Sequence, residues 1–146
     1  MLVKDLLKEK TREVATIRPE DTVDTAMAKL LENRISCLPV VSEDGALKGI
    51  VSDKDIFKTA YQQEDGFKRV LIREIMTTDL IVGVEDDDLG YIAAVMTNNR
   101  IRHVPIMSEG KMVNLLSVGD IVKAQLRDLK VTNRYLRMYI EGSYPG

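Results

Sequence analysis

Two Ser-x-x-Asp tetrads, Ser52 to Asp55 and Ser117 to Asp120, are the clearest chemical signal in this chain of 146 residues. Each falls at the start of a predicted helix, where free backbone N–H groups and the helix dipole favour an anion such as phosphate. The aspartate lies one turn in and, when ionised, only accepts hydrogen bonds. The same tetrad is also an ordinary capping arrangement, so the pattern alone does not make a site. Cys37 lies in a Leu-Pro-Val-Val run and reads as a small buried hydrophobe rather than a nucleophile. His103 is the one histidine, which excludes a multi-histidine metal centre. As a general base it would need Cys37 or a serine in productive geometry. The acidic run Glu85 to Asp88 reads as a solvated turn with helix N-terminal charge, since no calcium-loop spacing follows.

The tetrads belong to a longer repeat. Arg34 to Lys58 reads RISCLPVVSEDGALKGIVSDKDIFK, and Arg100 to Lys123 reads RIRHVPIMSEGKMVNLLSVGDIVK. Arg34 and Arg100, like Pro39 and Pro105, stand 66 positions apart, whereas Ser52 and Ser117, like Asp55 and Asp120, stand 65 apart. One residue is lost between Glu43 and Gly49, as a hairpin loop allows. Two copies are too few for a solenoid, so the expected arrangement is two units about a pseudo-twofold axis.

Each copy reads β-α-β-β-α with a short helix before it. In the first, Met1 to Lys8 predicts that helix, with Leu2, Leu6 and Leu7 inward. A charged connection, Lys8 to Glu13, leads to a short strand at Val14 to Ile17. Thr22 caps a helix whose apolar face is Val23, Ala26, Met27, Leu30 and Leu31. Cys37 to Val41 and Leu47 to Val51 form a hairpin around Glu43-Asp-Gly45, and Ser52 caps a helix to about Gln62. Repeat 1 is therefore placed at 1–62, a polar linker at 63–69 and repeat 2 at 70–124. In the second copy, Val70 to Met76 supplies the short helix and Leu80 to Val84 the first strand. Leu89, Ile92, Ala93 and Met96 repeat the helical stripe. His103 to Met107 and Met112 to Leu116 form the second hairpin, around Glu109-Gly110.

The remaining stretch, 125–146, extends the last helix. Val122, Leu126, Leu129, Asn133, Leu136 and Ile140 follow at steps of four and three, a heptad seam with one polar interruption. A helix from Ser117 to Glu141 spans roughly 35 Å, longer than one small unit needs. The spacing favours a homodimer seam with Asn133 setting register, over an amphipathic helix folded back on its own domain.

Length and composition are consistent with one compact domain, which the β-α-β-β-α units make α/β: 45% hydrophobic residues can build a core and 30% charged residues a polar surface. The formal net charge of −2 argues against a general nucleic-acid binder. One cysteine precludes an internal disulfide and fits a reducing compartment. The N-terminal stretch has no apolar run suited to a signal peptide or membrane span, so a cytoplasmic location is expected.

The repeated pattern apolar-Ser-x-Leu-Pro-Val-Val, a Gly turn, then Gly-Ile-Val-Ser-x-x-Asp-Ile resembles the CBS domain, found in tandem as a Bateman module. The resemblance runs from about Leu2 to Lys123, and the C-terminal stretch is similar to the tail of small stand-alone CBS-pair proteins. It implies a regulatory, non-enzymatic protein that signals to a partner. The implied ligand is adenosine-containing (AMP, ADP, ATP, NAD(H) or S-adenosylmethionine), bound between the repeats without a metal. The alternative is a ligand-free interaction and dimerisation module. By the resemblance, one cleft uses Ala15, Thr16, Ile35, Ser36, Cys37, Arg102, His103, Ser117 and Asp120. There Asp120 suits the two ribose hydroxyls, and Arg102 and His103 a phosphate. The other cleft uses Ser52, Lys54, Asp55, Thr77 and Val82. The first is favoured, because Ser36 and Cys37 are uncharged where Arg102 and His103 stand in the second copy. Two features argue the other way. Asn114 stands where the first copy has Gly49, which is expected to narrow the Asp120 cleft, and Gly83 is expected to open the Asp55 cleft. Two such modules are expected to form a disc-like homodimer.

Overall fold

The computed structural model describes residues 1–10 and 12–140. Unit 1 comprises α2 (Val23–Asn33), β1 (Cys37–Val41), β2 (Leu47–Ser52) and α3 (Asp53–Gln62). Unit 2 comprises β3 (Gly83–Val84), α5 (Leu89–Asn99), β4 (His103–Ser108), β5 (Lys111–Ser117) and α6 (Val118–Ile140). Two short helices, α1 (Val3–Leu7) and α4 (Ile72–Ile75), precede the units, and a 3₁₀ turn spans Phe67–Arg69. No helix among the described residues is long and apolar enough to cross a membrane.

Local chemistry explains the element ends. Thr22 Oγ1 accepts from Thr25 N–H to start α2, and Asp88 Oδ1 accepts from Gly90 N–H to start α5. Both helices end on an arginine in the left-handed region, Arg34 and Arg100, each at φ 54°. A non-glycine residue there costs roughly 1–2 kcal/mol, and the turn it makes throws Ile35 and Ile101 back toward the cores. The β4–β5 hairpin closes through Glu109 and Gly110, both at positive φ, the backbone that a two-residue turn demands. In each hairpin the strands pair antiparallel, with one register shift beside the turn.

The first predicted strand is reduced in both copies. Ile17 makes a single parallel bridge to Val40, and its counterpart is the two-residue β3, parallel to β4. The buried residues of α1 are Val3 and Leu6, with Leu7 partly buried against the same core and Leu2 off it, and Leu31 of α2 points to solvent at 78% exposure. Leu2 and Leu31 lie one position off the stripe that meets the core.

The units exchange their short helices. Val3 and Leu6 of α1 pack with Leu89, Ile92, Val104, Ile106 and Leu116 of unit 2. Ile72 of α4 packs with Ile17, Val23, Leu38, Val40 and Val51 of unit 1. The backbone bonds are reciprocal: Val3 N–H donates to Asp87 O and Leu89 N–H to Met1 O, while Ile72 N–H donates to Asp21 O and Val23 N–H to Val70 O. Helices of five and four residues are too short to persist alone. Burying one aliphatic side chain stabilises by about 1.5–3 kcal/mol, so Val3, Leu6 and Ile72 hold them in place. This exchange ties the repeats into one body around the pseudo-twofold axis.

Candidate functional site

Between the units lies a cavity of about 1060 Å³. Its wall is built from both copies, with Cys37 and His103 as counterparts and the rest drawn from different parts of each repeat. Ala15, Ile35, Ser36 and Cys37 come from unit 1, and His103, Leu115, Ser117 and Asp120 from unit 2. The N-terminal connection adds Glu9, Lys10, Arg12 and Glu13, and α6 adds Lys123, Leu126, Arg127 and Lys130.

Strand alternation decides which predicted residues reach it. After the left-handed turn at Arg100, Ile101 packs on the unit 2 core and His103 lines the cavity. Arg102, between them, is exposed and off the cavity wall. Its contribution is its main chain, for the Arg102 carbonyl accepts from Val118 N–H at 2.9 Å and completes the start of α6. Ser36 does the same for Asp53 N–H at 2.8 Å. Thr16 also stands off the wall, its carbonyl accepting from Lys29 Nζ at 2.7 Å.

The Ser-x-x-Asp tetrads are complete capping boxes. Ser117 Oγ accepts from Asp120 N–H at 3.1 Å, and Asp120 Oδ2 accepts from Ser117 N–H at 2.9 Å. Ser52 and Asp55 match this at 3.2 and 2.8 Å. The N–H groups of Val118 and Asp120 are thus already bonded within the protein. That reduces the number of backbone donors this helix start offers to a phosphate.

The cations of the cavity wall are side chains that the motif reading left out. Lys10, Arg12, Arg34, Lys123, Arg127 and Lys130 face Glu9, Glu13 and Asp120 around the cavity, an excess of cations on a chain of net charge −2. Lys10 Nζ bonds Asp120 Oδ2 at 2.9 Å and the Leu115 carbonyl at 2.8 Å. Arg127 pairs with Glu9, and Arg12 donates to the Asn33 carbonyl. The signal for Lys10 and Arg12 was the charged run before Val14, read as a plain connection; for Lys123, Arg127 and Lys130 it was the basic spacing along α6.

Electrostatics separate the titratable groups. Burial alone raises the Asp120 carboxyl, but the Ser117 N–H and the Lys10 ammonium outweigh it and hold the group below the usual aspartate value. The His103 imidazole is lowered, first by burial and then by Arg102 and Lys10, against the opposing pull of Asp120 and Asp53. Burial, with Asp53 and Asp55 nearby, pushes the Cys37 thiol up to about 12. Cys37 and His103 line the same cavity, yet that thiol supplies no thiolate near neutral pH.

The pseudo-equivalent region around Asp55 is bonded differently. Ile50 N–H donates to Thr77 O at 2.9 Å and Thr77 N–H to Ile50 O at 2.8 Å, so the main chain of the second predicted cleft is bonded across it. A Cβ on Gly49 would stand 2.7 Å from the Thr77 oxygen, so this glycine admits the crossing strand. Asn114 has no such neighbour role; its Oδ1 accepts from Leu115 N–H at 2.8 Å, and the Asp120 cleft is narrowed by Lys10 instead. Gly83 does not open the Asp55 cleft. Its missing Cβ faces Ile92 and Ile106, at 2.8 and 3.1 Å, in the unit 2 core. Lys54 and Val82 are exposed. Among the described residues no cluster of three His, Cys, Asp or Glu is arranged to hold a metal ion.

A paired α/β unit with exchanged helices and a cleft at the pseudo-twofold axis defines a class, and sequence comparison identifies it. The CBS-domain model matches residues 3–61 and 72–127, and the chain belongs to the CBS-domain family. A CBS domain-containing protein of Bacillus subtilis, YhcV, is 32% identical over 125 residues, covering 85% of each chain. The crystal structure of a CBS-domain protein of Agrobacterium tumefaciens matches with TM-score 0.81 and 30% identity, over 86% of this chain and 99% of that one. The CBS domain pair of protein MJ0100, solved with 5′-methylthioadenosine and S-adenosyl-L-methionine, matches with TM-score 0.76 and 29% identity, over 88% of this chain and 98% of that one.

Proposed function

We propose that this protein is a regulatory sensor that binds an adenosine-containing nucleotide in the Asp120 cleft and signals to a partner protein. The observation that carries this reading is the inter-unit cavity, where Asp120, Ser117, His103, Ser36, Cys37 and Ala15 meet under an excess of cations. The ligands of the MJ0100 domain pair support the adenosine part. In this reading Asp120 grips the ribose hydroxyls, Ala15 and Ile35 flank the base, and the cationic side chains meet phosphate. Binding bridges the units, and it shifts their arrangement only by the difference in affinity for each. The reaction is recognition, without chemistry on the ligand and without a metal, and the reading places the protein in the cytoplasm. Calorimetric titration with AMP, ATP, NADH and S-adenosylmethionine tests it. Micromolar binding to the wild type, lost in Asp120→Ala, is expected. Binding retained there and lost in Asp55→Ala moves the site to the other cleft.

A second component of the proposal is a homodimer through α6. Ile121 and Ala124 of this helix are buried in unit 2, whereas Val122, Leu126, Leu129, Leu136 and Ile140 are exposed at heptad spacing. That exposed stripe is self-complementary in a paired coiled coil, and Asn133, also exposed, sets its register. It equally supports the ligand-free interaction module, which keeps the dimer and binds none of the four nucleotides.

A further inference from the structure

Lys10 holds a place in the cleft that no counterpart holds in the other half. Its ammonium bridges Asp120 Oδ2 and the Leu115 carbonyl, with the Lys10 and Asp120 side chains only 22% and 21% exposed. At the equivalent point of unit 1, the main chain of Thr77 pairs with Ile50. At this point one half is therefore bridged by two backbone hydrogen bonds and the other by a single side chain on a flexible stem.

The carboxylate geometry makes that side chain the movable part. Asp120 Oδ2 accepts from both Lys10 Nζ and Ser117 N–H, which uses both of its lone pairs. A ribose diol spanning the two carboxylate oxygens needs one of them. Ser117 is fixed by its reciprocal bond to Asp120 N–H, so the ammonium leaves. It leaves into a cavity rimmed by Arg12, Arg34, Lys123, Arg127 and Lys130 against two exposed carboxylates, Glu13 and Glu9, the latter already paired with Arg127, so an anion brought by the ligand is the partner best placed to replace the one it loses.

We propose that Lys10 is a specificity-determining residue that makes this cleft select phosphorylated adenosine ligands over unphosphorylated ones; the proposal rests on the nucleotide-sensor reading above. A phosphate re-pairs the displaced ammonium. A nucleoside or thioether strands it, and a sulfonium adds a further positive charge.

Calorimetry with adenosine and ATP on the wild type, Lys10→Met and Lys10→Arg tests this. In Lys10→Met adenosine binds about twofold to fivefold more tightly, the range expected for releasing one partly exposed ion pair, while ATP gains nothing, so the ATP preference falls. Lys10→Arg keeps the wild-type preference. Lys10→Gln, which removes the charge and retains a donor for the Leu115 carbonyl, gives the same shift as methionine if Lys10→Met folds poorly. A wild type that binds neither ligand, beside a Lys10→Met that binds adenosine, overturns the proposal, because phosphate would then have failed to re-pair the displaced ammonium. An ATP-to-adenosine ratio unchanged in the Met and Gln variants overturns Lys10 as the selector and leaves the sensor reading standing. Absence of binding in every protein overturns both.

Discussion

His103 and Cys37 face one cavity, and their surroundings assign them opposite kinds of inertness. Burial, then Asp53 and Asp55, push the Cys37 thiol up to about 12, so we expect no reaction with a thiol-specific chromogenic reagent in the native protein at pH 8. One equivalent should react in denaturant; rapid native labelling would contradict the buried, desolvated thiol. The His103 imidazole is depressed below its ordinary 6.5 by burial, Arg102 and Lys10, with Asp120 and Asp53 opposing. Between the depressed value and 6.5 the unfolded chain binds more protons than the folded one, so stability rises with pH across that window. It is fully present above 6.5 and lost as the pH falls through the folded value. Chemical denaturation at a series of pH values should show this slope, and His103→Gln should flatten it. At this scale the Ser-x-x-Asp repeat was readable directly. Arg102 was not, because its exclusion from the cavity depends on where Arg100 turns the chain and on strand alternation thereafter.

The elements owe their positions to close approaches that tolerate little added volume. Gly49 lets the Met76–Thr77 segment cross β2, with a Cβ there 2.7 Å from the Thr77 oxygen and 2.9 Å from Met76 Sδ. Gly49→Ala should therefore destabilise by about 1–3 kcal/mol, the range for overpacking. Gly119 of α6 makes the contrasting case, since its Cβ would meet only Ser117 Oγ, at 3.6 Å. Gly119→Ala should gain roughly 0.5–1 kcal/mol from helix propensity. Urea unfolding of the two variants separates them; equal shifts would mean that the crossing strand yields. Element types and most boundaries were legible, because α2, α5 and both hairpins carry strong periodicity and turn residues. The predicted first strands shrank to a bridge at Ile17 and two residues at Gly83–Val84. A strand of that length is set by its neighbour rather than by its own residues.

For the whole molecule, the C-terminal helix links the cleft to the surface proposed for self-association. Lys123, Arg127 and Lys130 line the cavity, while Leu129 and Leu136 lie exposed on the seam at 57% and 56%. Leu129→Glu with Leu136→Glu should convert a dimer to a monomer in multi-angle light scattering while leaving the cores folded. An unchanged mass would remove α6 from the interface. By itself the sequence determined the repeat, the α/β units, the hairpin positions and the candidate aspartates, because these depend on residue type and short-range spacing. Only the tertiary structure decided that α1 packs on unit 2 and α4 on unit 1, that the Thr77 main chain bridges Ile50, and that Lys10 meets Asp120 across the pseudo-twofold axis. Those pairings join segments distant in the chain, Lys10 and Asp120 being 110 positions apart. No local pattern encodes them; they follow from burying two apolar faces against each other and then satisfying the polar groups left at the seam.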